Sequence, residues 1–348
     1  MQTIIRKVDE NCISQEVMKE AGDLLKAGAL VAFPTETVYG LGANALDAEA
    51  SAKIYAAKGR PSDNPLIIHI ADMESLPLIT EEIPEAAVKL ADKFWPGPLT
   101  MVLKKSQIVP YGTTGGLDTV AVRMPSHKVA LELIRSGGGY IAAPSANTSG
   151  RPSPTLASHV ADDMNGIIPM ILDGGTVGIG IESTIVDLTE GIPTILRPGF
   201  ITKAMLEEVV GEVQIDKGLA ADAKVAPKAP GMKYRHYAPK AELIIVEGTS
   251  EAVVAKINEL TKENEAKGIC TGIIGTEETV KRYPSGLVKS MGTRNDELSI
   301  SSHLYSILRE FDESDAEIIY SESFEEGAMG SAIMNRLLKA AGHKIVHV

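Results

Sequence analysis

Ala48-Glu-Ala-Ser-Ala-Lys-Ile-Tyr-Ala-Ala57, then Lys58-Gly-Arg-Pro-Ser-Asp-Asn64, then Pro65-Leu-Ile-Ile-His-Ile70 is a helix, a polar loop and a strand in direct succession. The first run predicts a helix, since Ala, Glu and Lys are strong helix formers. The last is a short apolar run, the pattern of a buried strand. Between them the loop packs cations, hydroxyls and amides around Gly and Pro. A second loop of the same make-up, Pro144-Ser-Ala-Asn-Thr-Ser-Gly-Arg151, follows the strand-like Tyr140–Ala143. Taken alone, either loop is a polar surface turn. As a pair they suit an anionic small molecule, because Lys and Arg meet phosphate oxygens while hydroxyls and amides fix orientation.

Outward from this unit the same alternation continues. Residues 14–27 carry Val17, Ala21, Leu24 and Leu25 at helical spacing, and Gly28 stands where a helix C-terminus favours it. Ala29–Phe33 reads as a buried strand ending at Pro34, Ala86–Phe94 as a helix stopped by Trp95-Pro-Gly-Pro98, and Leu99–Leu103 as a strand. Thr119–Arg123, Ile167–Leu172 and Ser183–Leu188 add further strands. The expectation is an α/β sheet domain over residues 1–208. Residues 209–240 then hold six basic and three acidic side chains in an otherwise acidic chain, with Pro230-Gly-Met-Lys-Tyr-Arg-His-Tyr-Ala-Pro239 inside them. That composition reads as a basic linker that folds back as a lid over something anionic. Beyond it, Leu243–Val246, 250–266, Ile269–Ile274, 298–311, Ile318–Ser321 and 331–340 alternate strand and helix, so residues 241–348 predict an open parallel sheet of the Rossmann-like kind.

The totals narrow the function. A length of 348 residues suits two domains, and 44% hydrophobic content allows real cores. A formal charge of −12 argues against an extended basic face for RNA or an anionic membrane. Aromatics at 4% argue against a stacking platform for single strands. Cys12 and Cys270 stand far apart, without metal spacing, which fits a reducing compartment. The N-terminus lacks the apolar core of a signal peptide and no apolar run reaches membrane length, so a cytoplasmic protein is expected.

Familiar catalytic motifs are missing. There is no Walker-type phosphate loop, no Gly-x-Gly-x-x-Gly after a strand, no His-Glu-x-x-His and no Gly-x-Ser-x-Gly. Gly174-Gly-Thr-Val-Gly-Ile-Gly-Ile-Glu-Ser-Thr184 matches no nucleotide fingerprint and reads as a tight hairpin turn. His69, Arg123 and Arg197 share one pattern: each interrupts or ends an apolar strand. A lone His there is commonly a satisfied core residue, but half-buried cations need anionic partners.

Several runs resemble one family in the same order. They are Phe33-Pro34-Thr35-Glu36-Thr37-Val38-Tyr39-Gly40-Leu41-Gly42, Lys58-Gly59-Arg60-Pro61, Asn64-Pro65-Leu66, Trp95-Pro96-Gly97-Pro98-Leu99-Thr100 and Pro144-Ser145-Ala146-Asn147. They resemble the YrdC-like threonylcarbamoyl-adenylate synthases, and the 230–239 segment with the following lobe resembles the longer, two-domain branch. The resemblance implies a twisted mixed-sheet catalytic domain followed by a smaller Rossmann-like domain. It implies synthesis of L-threonylcarbamoyl-AMP from L-threonine, bicarbonate and ATP with release of pyrophosphate and water, a nucleotidyltransferase reaction. It further implies Lys58, Arg60, Ser145 and Asn147 as the catalytic signature. ATP would meet Arg60, Asn64, Thr119, Ser145, Ser153, Arg197 and Tyr237, and L-threonine would meet Thr37, His69, Arg123, Ala143 and Ser183. Mg2+ would ride on the ATP phosphates, with no metal ligand among protein side chains. Partner transferases would pass the threonylcarbamoyl group to the adenosine beside the anticodon of tRNAs reading codons that start with A, and direct tRNA contact would be weak.

Two other readings compete. One is the carbamoyl transfer of hydrogenase maturation, opposed by the lack of zinc-finger-like cysteines. The other is a non-catalytic module that binds double-stranded RNA or tRNA or assists ribosome assembly, opposed by the acidic balance and scarce aromatics.

Overall fold

A computed structural model describes residues 2–216, 236–324 and 327–348, so most of the expected 209–240 lid lies outside the described residues. The described chain divides into two compact units: residues 2–149, 154–178 and 182–216 form one, and residues 150–153, 179–181, 236–324 and 327–348 the other.

The first unit runs β1 (Ile4–Lys7), α1 (Gln15–Lys26), β2 (Val31–Phe33), β3 (Gly40–Asn44), α2 (Ala48–Lys58), β4 (Ile67–His69), α3 (Leu76–Ile79), α4 (Glu85–Phe94), β5 (Leu99–Lys104), α5 (Tyr111–Thr114), β6 (Thr119–Arg123), α6 (Lys128–Ser136), β7 (Ile141–Ala143), α7 (Ala157–Met164), β8 (Met170–Asp173), β9 (Thr184–Asp187), β10 (Thr194–Arg197), α8 (Lys203–Val210) and β11 (Gln214–Ile215). Local chemistry sets the ends. Ser14 caps α1 by accepting from the Val17 amide, and Asp47 caps α2 by accepting from the Glu49 and Ala50 amides. α2 stops at Gly59, whose φ of 61° lies in the left-handed region that glycine enters at little cost.

All eleven strands join one mixed sheet, ordered β1-β8-β2-β3-β7-β4-β6-β5-β9-β10-β11. In a strand, successive side chains point to opposite faces. Ile68, Met101 and Val122 therefore enter the large core with Leu41, Ile54 and Leu90, whereas Ile67, Val102 and Ala121 enter a small cluster with Ile185 and Leu196 on the other face. His69, Thr100, Arg123 and Ser183 share the parity of that small cluster. Arg197 joins them through a register shift between Ile195 and Arg197, which sets Arg197 opposite Ile185. A bulge of this kind re-aims a side chain.

The Gly174–Thr184 stretch is not a hairpin. β8 lies between β1 and β2, and β9 lies between β5 and β10, so the glycines serve a crossing connection. A Cβ at Gly174 would come within 2.7 Å of the Pro34 ring, a contact that glycine avoids.

The second unit contains β12 (Glu242–Glu247), α9 (Ser250–Glu265), β13 (Thr271–Gly275), β14 (Leu287–Ser290), α10 (Glu297–Asp312), β15 (Ile318–Glu322), α11 (Gly330–Ala340) and β16 (Ile345–His347). Its five strands are all parallel, in the order β14-β13-β15-β12-β16. Parallel neighbours need long crossovers, which is why helices alternate with strands along the chain. α10 also holds the two short segments that precede it in sequence. The buried Arg309 donates to the Pro152 carbonyl from Nε (3.1 Å) and Nη2 (2.7 Å), and Ser301 Oγ donates to the Ile179 carbonyl at 2.8 Å.

Candidate active site

The first unit gathers the polar side chains of its sheet around the end of β6. Arg123 is 4% exposed, and the parallel β4–β6 register puts His69 beside it. On the other side, the antiparallel β5–β6 register puts Thr100 opposite Arg123. The guanidinium donates to Thr37 Oγ1 (2.9 Å) and to the Gly97 carbonyl (3.4 Å), and its Nη2 lies 2.7 Å from Glu36 Oε1. Thr35 fastens this turn: its hydroxyl donates to the Val38 carbonyl at 2.7 Å and accepts from the Thr37 amide at 3.1 Å. Ser183 enters from the start of β9, sharing a 2.7 Å hydroxyl contact with Thr100. Arg197 donates to the Ser183 carbonyl from Nε at 3.1 Å and to its hydroxyl from Nη2 at 3.2 Å.

Electrostatics follows from burial. His69 is pushed down to about 3 by loss of solvent and then by the Arg123 cation, so it is neutral at physiological pH. Its Nδ1 lies 3.1 Å from the Ile67 carbonyl. A neutral ring in that position donates from Nδ1 and keeps Nε2 as an acceptor. Burial alone would raise Glu36, but the charge of Arg123 outweighs it and holds the carboxyl below its ordinary value.

A second group of residues surrounds the Lys58 loop. The Lys58 ammonium is buried and donates to the carbonyls of Ser145 and Asn147, while the Lys58 carbonyl accepts from the Ser149 amide at 2.8 Å. The signature residues are therefore physically joined, with Lys58 ordering the backbone of the Ser145–Asn147 loop. That loop is also pinned to β3, as the Leu41 amide donates to the Pro144 carbonyl at 2.8 Å and the Ala146 amide to the Tyr39 carbonyl at 2.9 Å. Arg60 turns back on its own loop, donating to the Asn64 carbonyl at 3.2 Å and the Pro65 carbonyl at 3.1 Å. Thr119 opens β6, at the end of the β4–β6 pair that faces Asn64 and Pro65 rather than Arg123.

The expected threonine residues thus converge: Thr37, His69, Arg123 and Ser183 form one connected set, and Ala143 ends β7, the strand beside β4. Lys58, Ser145 and Asn147 form another, and Arg60 with Asn64 a third. Ser153 and Tyr237 belong to the second unit. There Ser153 is buried, and Tyr237, at φ 66°, packs its ring 5.1 Å from that of Tyr305. Among the described residues, no group of three or more His, Cys, Asp or Glu could hold a metal ion. No described helix is long and apolar enough to cross a membrane.

Sequence reasoning assigned no role to Glu36 or Thr100. Both stood inside quoted motifs, and an acid between two threonines at the end of an apolar run was the available signal for Glu36.

Residues 23–199 match the Sua5–YciO–YrdC family, described as "Telomere recombination", and residues 201–342 match "Threonylcarbamoyl-AMP synthase, C-terminal domain". The chain belongs to the Sua5–YciO–YrdC family. It is 51% identical to a threonylcarbamoyl-AMP synthase of Pyrococcus abyssi across 99% of this chain and all of the relative. It is 50% identical to one of Bacillus subtilis across 97% of this chain and 96% of that one. Among solved structures, P. abyssi Sua5 complexed with L-threonine has a TM-score of 0.95 at 50% identity, covering 99% of this chain and 100% of that one. Both family matches and this fold agree with the two-domain architecture expected from sequence.

Proposed function

We propose that the chain is a threonylcarbamoyl-AMP synthase, a nucleotidyltransferase that joins L-threonine, bicarbonate and ATP and releases pyrophosphate and water. The observation that carries this reading is the Arg123 cluster. A buried cation beside the Thr37 hydroxyl and a neutral His69 offers an α-carboxylate one strong partner and a hydroxyl two neutral ones. Threonine's carboxylate would meet Arg123 and Ser183. Its hydroxyl would donate to Nε2 of His69, and Ala143 would bound its amino-acid backbone. A relative 50% identical in sequence has been solved with this amino acid.

ATP would meet Arg60, Asn64, Thr119, Ser145 and Arg197, whose cations, hydroxyls and amide suit phosphate and ribose oxygens. Ser153 and Tyr237 are assigned to the nucleotide on family resemblance alone. These donors suit phosphate rather than a metal, so Mg2+ would enter on the ATP phosphates, where it would neutralise charge. The reaction asks little of a protein nucleophile. Threonine's nitrogen becomes a carbamate, a carbamate oxygen attacks the α-phosphate, and pyrophosphate departs. Alignment and charge neutralisation lower that barrier. Lys58 contributes by holding the Ser145–Asn147 loop in shape. The product is a mixed anhydride, and we place it upstream of cytoplasmic transferases that modify tRNA, with direct tRNA contact by this chain weak.

The test is pyrophosphate release from ATP and Mg2+ with tRNA left out. Release that requires both L-threonine and bicarbonate supports the synthase. Release indifferent to amino acid, or none at all beside tight tRNA binding, would replace it with the RNA-binding reading.

A further inference from the structure

The Arg123 cluster holds one group that the threonine and ATP contacts leave unused. Glu36 has a side chain 14% exposed, set against an Arg123 side chain 5% exposed. Its Oε1 is 2.7 Å from Arg123 Nη2, a buried ion pair whose alignment is poor for a hydrogen bond, so the guanidinium holds the carboxylate mainly by charge. A buried ion pair with imperfect alignment leaves acceptor capacity on the carboxylate, which a substrate cation can use. The ionisable groups around Glu36 are Arg123, His69 and His127, and the backbone amides of Glu36 and Ser126 also face it. Burial holds both histidines below their ordinary value, so Arg123 is the cation that matters.

Arg123 and Glu36 form a buried dipole of one positive and one negative charge. An α-amino acid zwitterion carries the complementary pair, with one tetrahedral carbon between carboxylate and ammonium. A substrate carboxylate on Arg123 thereby brings its ammonium within reach of the carboxylate that shares the guanidinium. Resting on the threonine reading above, we propose that Glu36 receives the α-ammonium group of threonine and takes one proton from it.

The step balances. R–NH3+ and the Glu36 carboxylate become R–NH2 and the Glu36 carboxylic acid. The freed amine and bicarbonate give carbamate and water, the departing hydroxide taking the proton that nitrogen loses on bonding to carbon. Glu36 returns its proton to solvent before the next turnover. Geometry also supplies the driving force: a second carboxylate on Arg123 shares the cation, which weakens its hold on Glu36 and raises that group's proton affinity. The nearby alternatives fail as bases. His69 binds a proton only near pH 3, and the Lys58 ammonium is a donor to two carbonyls.

The experiment measures kcat/KM for threonine by pyrophosphate release between pH 6 and 9.5, using full-length protein, Glu36→Gln and Glu36→Asp. We expect Glu36→Gln to lose roughly 100-fold at pH 7, the scale of general base catalysis. The deficit should shrink as rising pH deprotonates threonine in solution, and KM for ATP should stay near the parent value. Glu36→Asp keeps the parent pH profile at a lower rate, and remains the deciding variant if Glu36→Gln fails to fold. A loss of the same factor at every pH, or a full rate in Glu36→Gln, overturns the proposal and leaves Glu36 as a structural counter-ion of Arg123. If the parent protein itself shows no threonine-dependent release, the synthase reading fails instead.

Discussion

Replacing Lys58 by Met separates a loop-building role from a phosphate-binding one. Met keeps an unbranched side chain one atom shorter and removes the charge. In the folded protein Lys58 is 2% exposed and donates to the Ser145 and Asn147 carbonyls. Each hydrogen bond from a charged donor contributes about 1.5–3 kcal/mol, and an orphaned buried acceptor costs about 1–3 kcal/mol. Against this stands the desolvation of one ammonium, several kcal/mol, which the variant no longer suffers. The net expectation is a loss of about 2–4 kcal/mol in the ligand-free protein. For a unit of this size each kcal/mol moves a thermal midpoint by about 2–4 °C, so the first transition should fall by about 5–15 °C. Differential scanning calorimetry without nucleotide reads this directly, and pyrophosphate release on the same samples gives the activity. If Lys58 served chiefly as a cation awaiting phosphate, its removal would leave the ligand-free midpoint unchanged or higher and raise only KM for ATP. That result would refute the reasoning.

Three further outcomes follow from the same geometry. Thr100→Val removes the hydroxyl that shares a 2.7 Å contact with Ser183, and should cost about 1 kcal/mol in urea denaturation while raising KM for threonine several-fold; an unchanged KM would detach Thr100 from the site. His69 binds its proton near pH 3 when folded and near 6.5 when unfolded, so the unfolded chain holds more protons between those values and stability falls as pH drops through that window. His69→Gln should flatten the slope of urea midpoint against pH from 6.5 toward 3, and a slope equal to the parent's would show that His69 does not cause it. Glu322 in the second unit is 1% exposed, accepts from the Tyr283 hydroxyl at 2.6 Å and pairs with Arg294, whose side chain is one-third exposed, so Glu322→Ala should destabilise that unit by about 1–3 kcal/mol, chiefly by leaving the buried Tyr283 hydroxyl without its acceptor. Hydrogen exchange of β13 and β15 amides checks this, and unchanged protection there would mean the network contributes nothing.

Much of this protein was legible in its sequence because the informative signals were local. Gly28 after its helix, the Trp95–Pro98 stop and the alternation of apolar runs lie within a few residues of the structure they cause. Thr119–Arg123 was read to the residue, and the strand–helix alternation beyond residue 240 announced a parallel sheet, since parallel neighbours require crossovers. The motifs also named the family, and with it most of the residues that the fold brings together. The pairing order of eleven strands was not legible, because it depends on contacts between segments far apart in sequence. For that reason the Gly174–Thr184 stretch looked like a hairpin and proved to be a crossing connection. The same holds for the charges. Sequence showed that Lys58, Arg123 and Glu36 are present. Only the folded chain decided that Lys58 donates to two backbone carbonyls, that a bulge sets Arg197 beside Ser183, and that Arg123 and Glu36 meet as a buried ion pair. Burial and distance set the strength of every such interaction, and neither exists until distant strands have met.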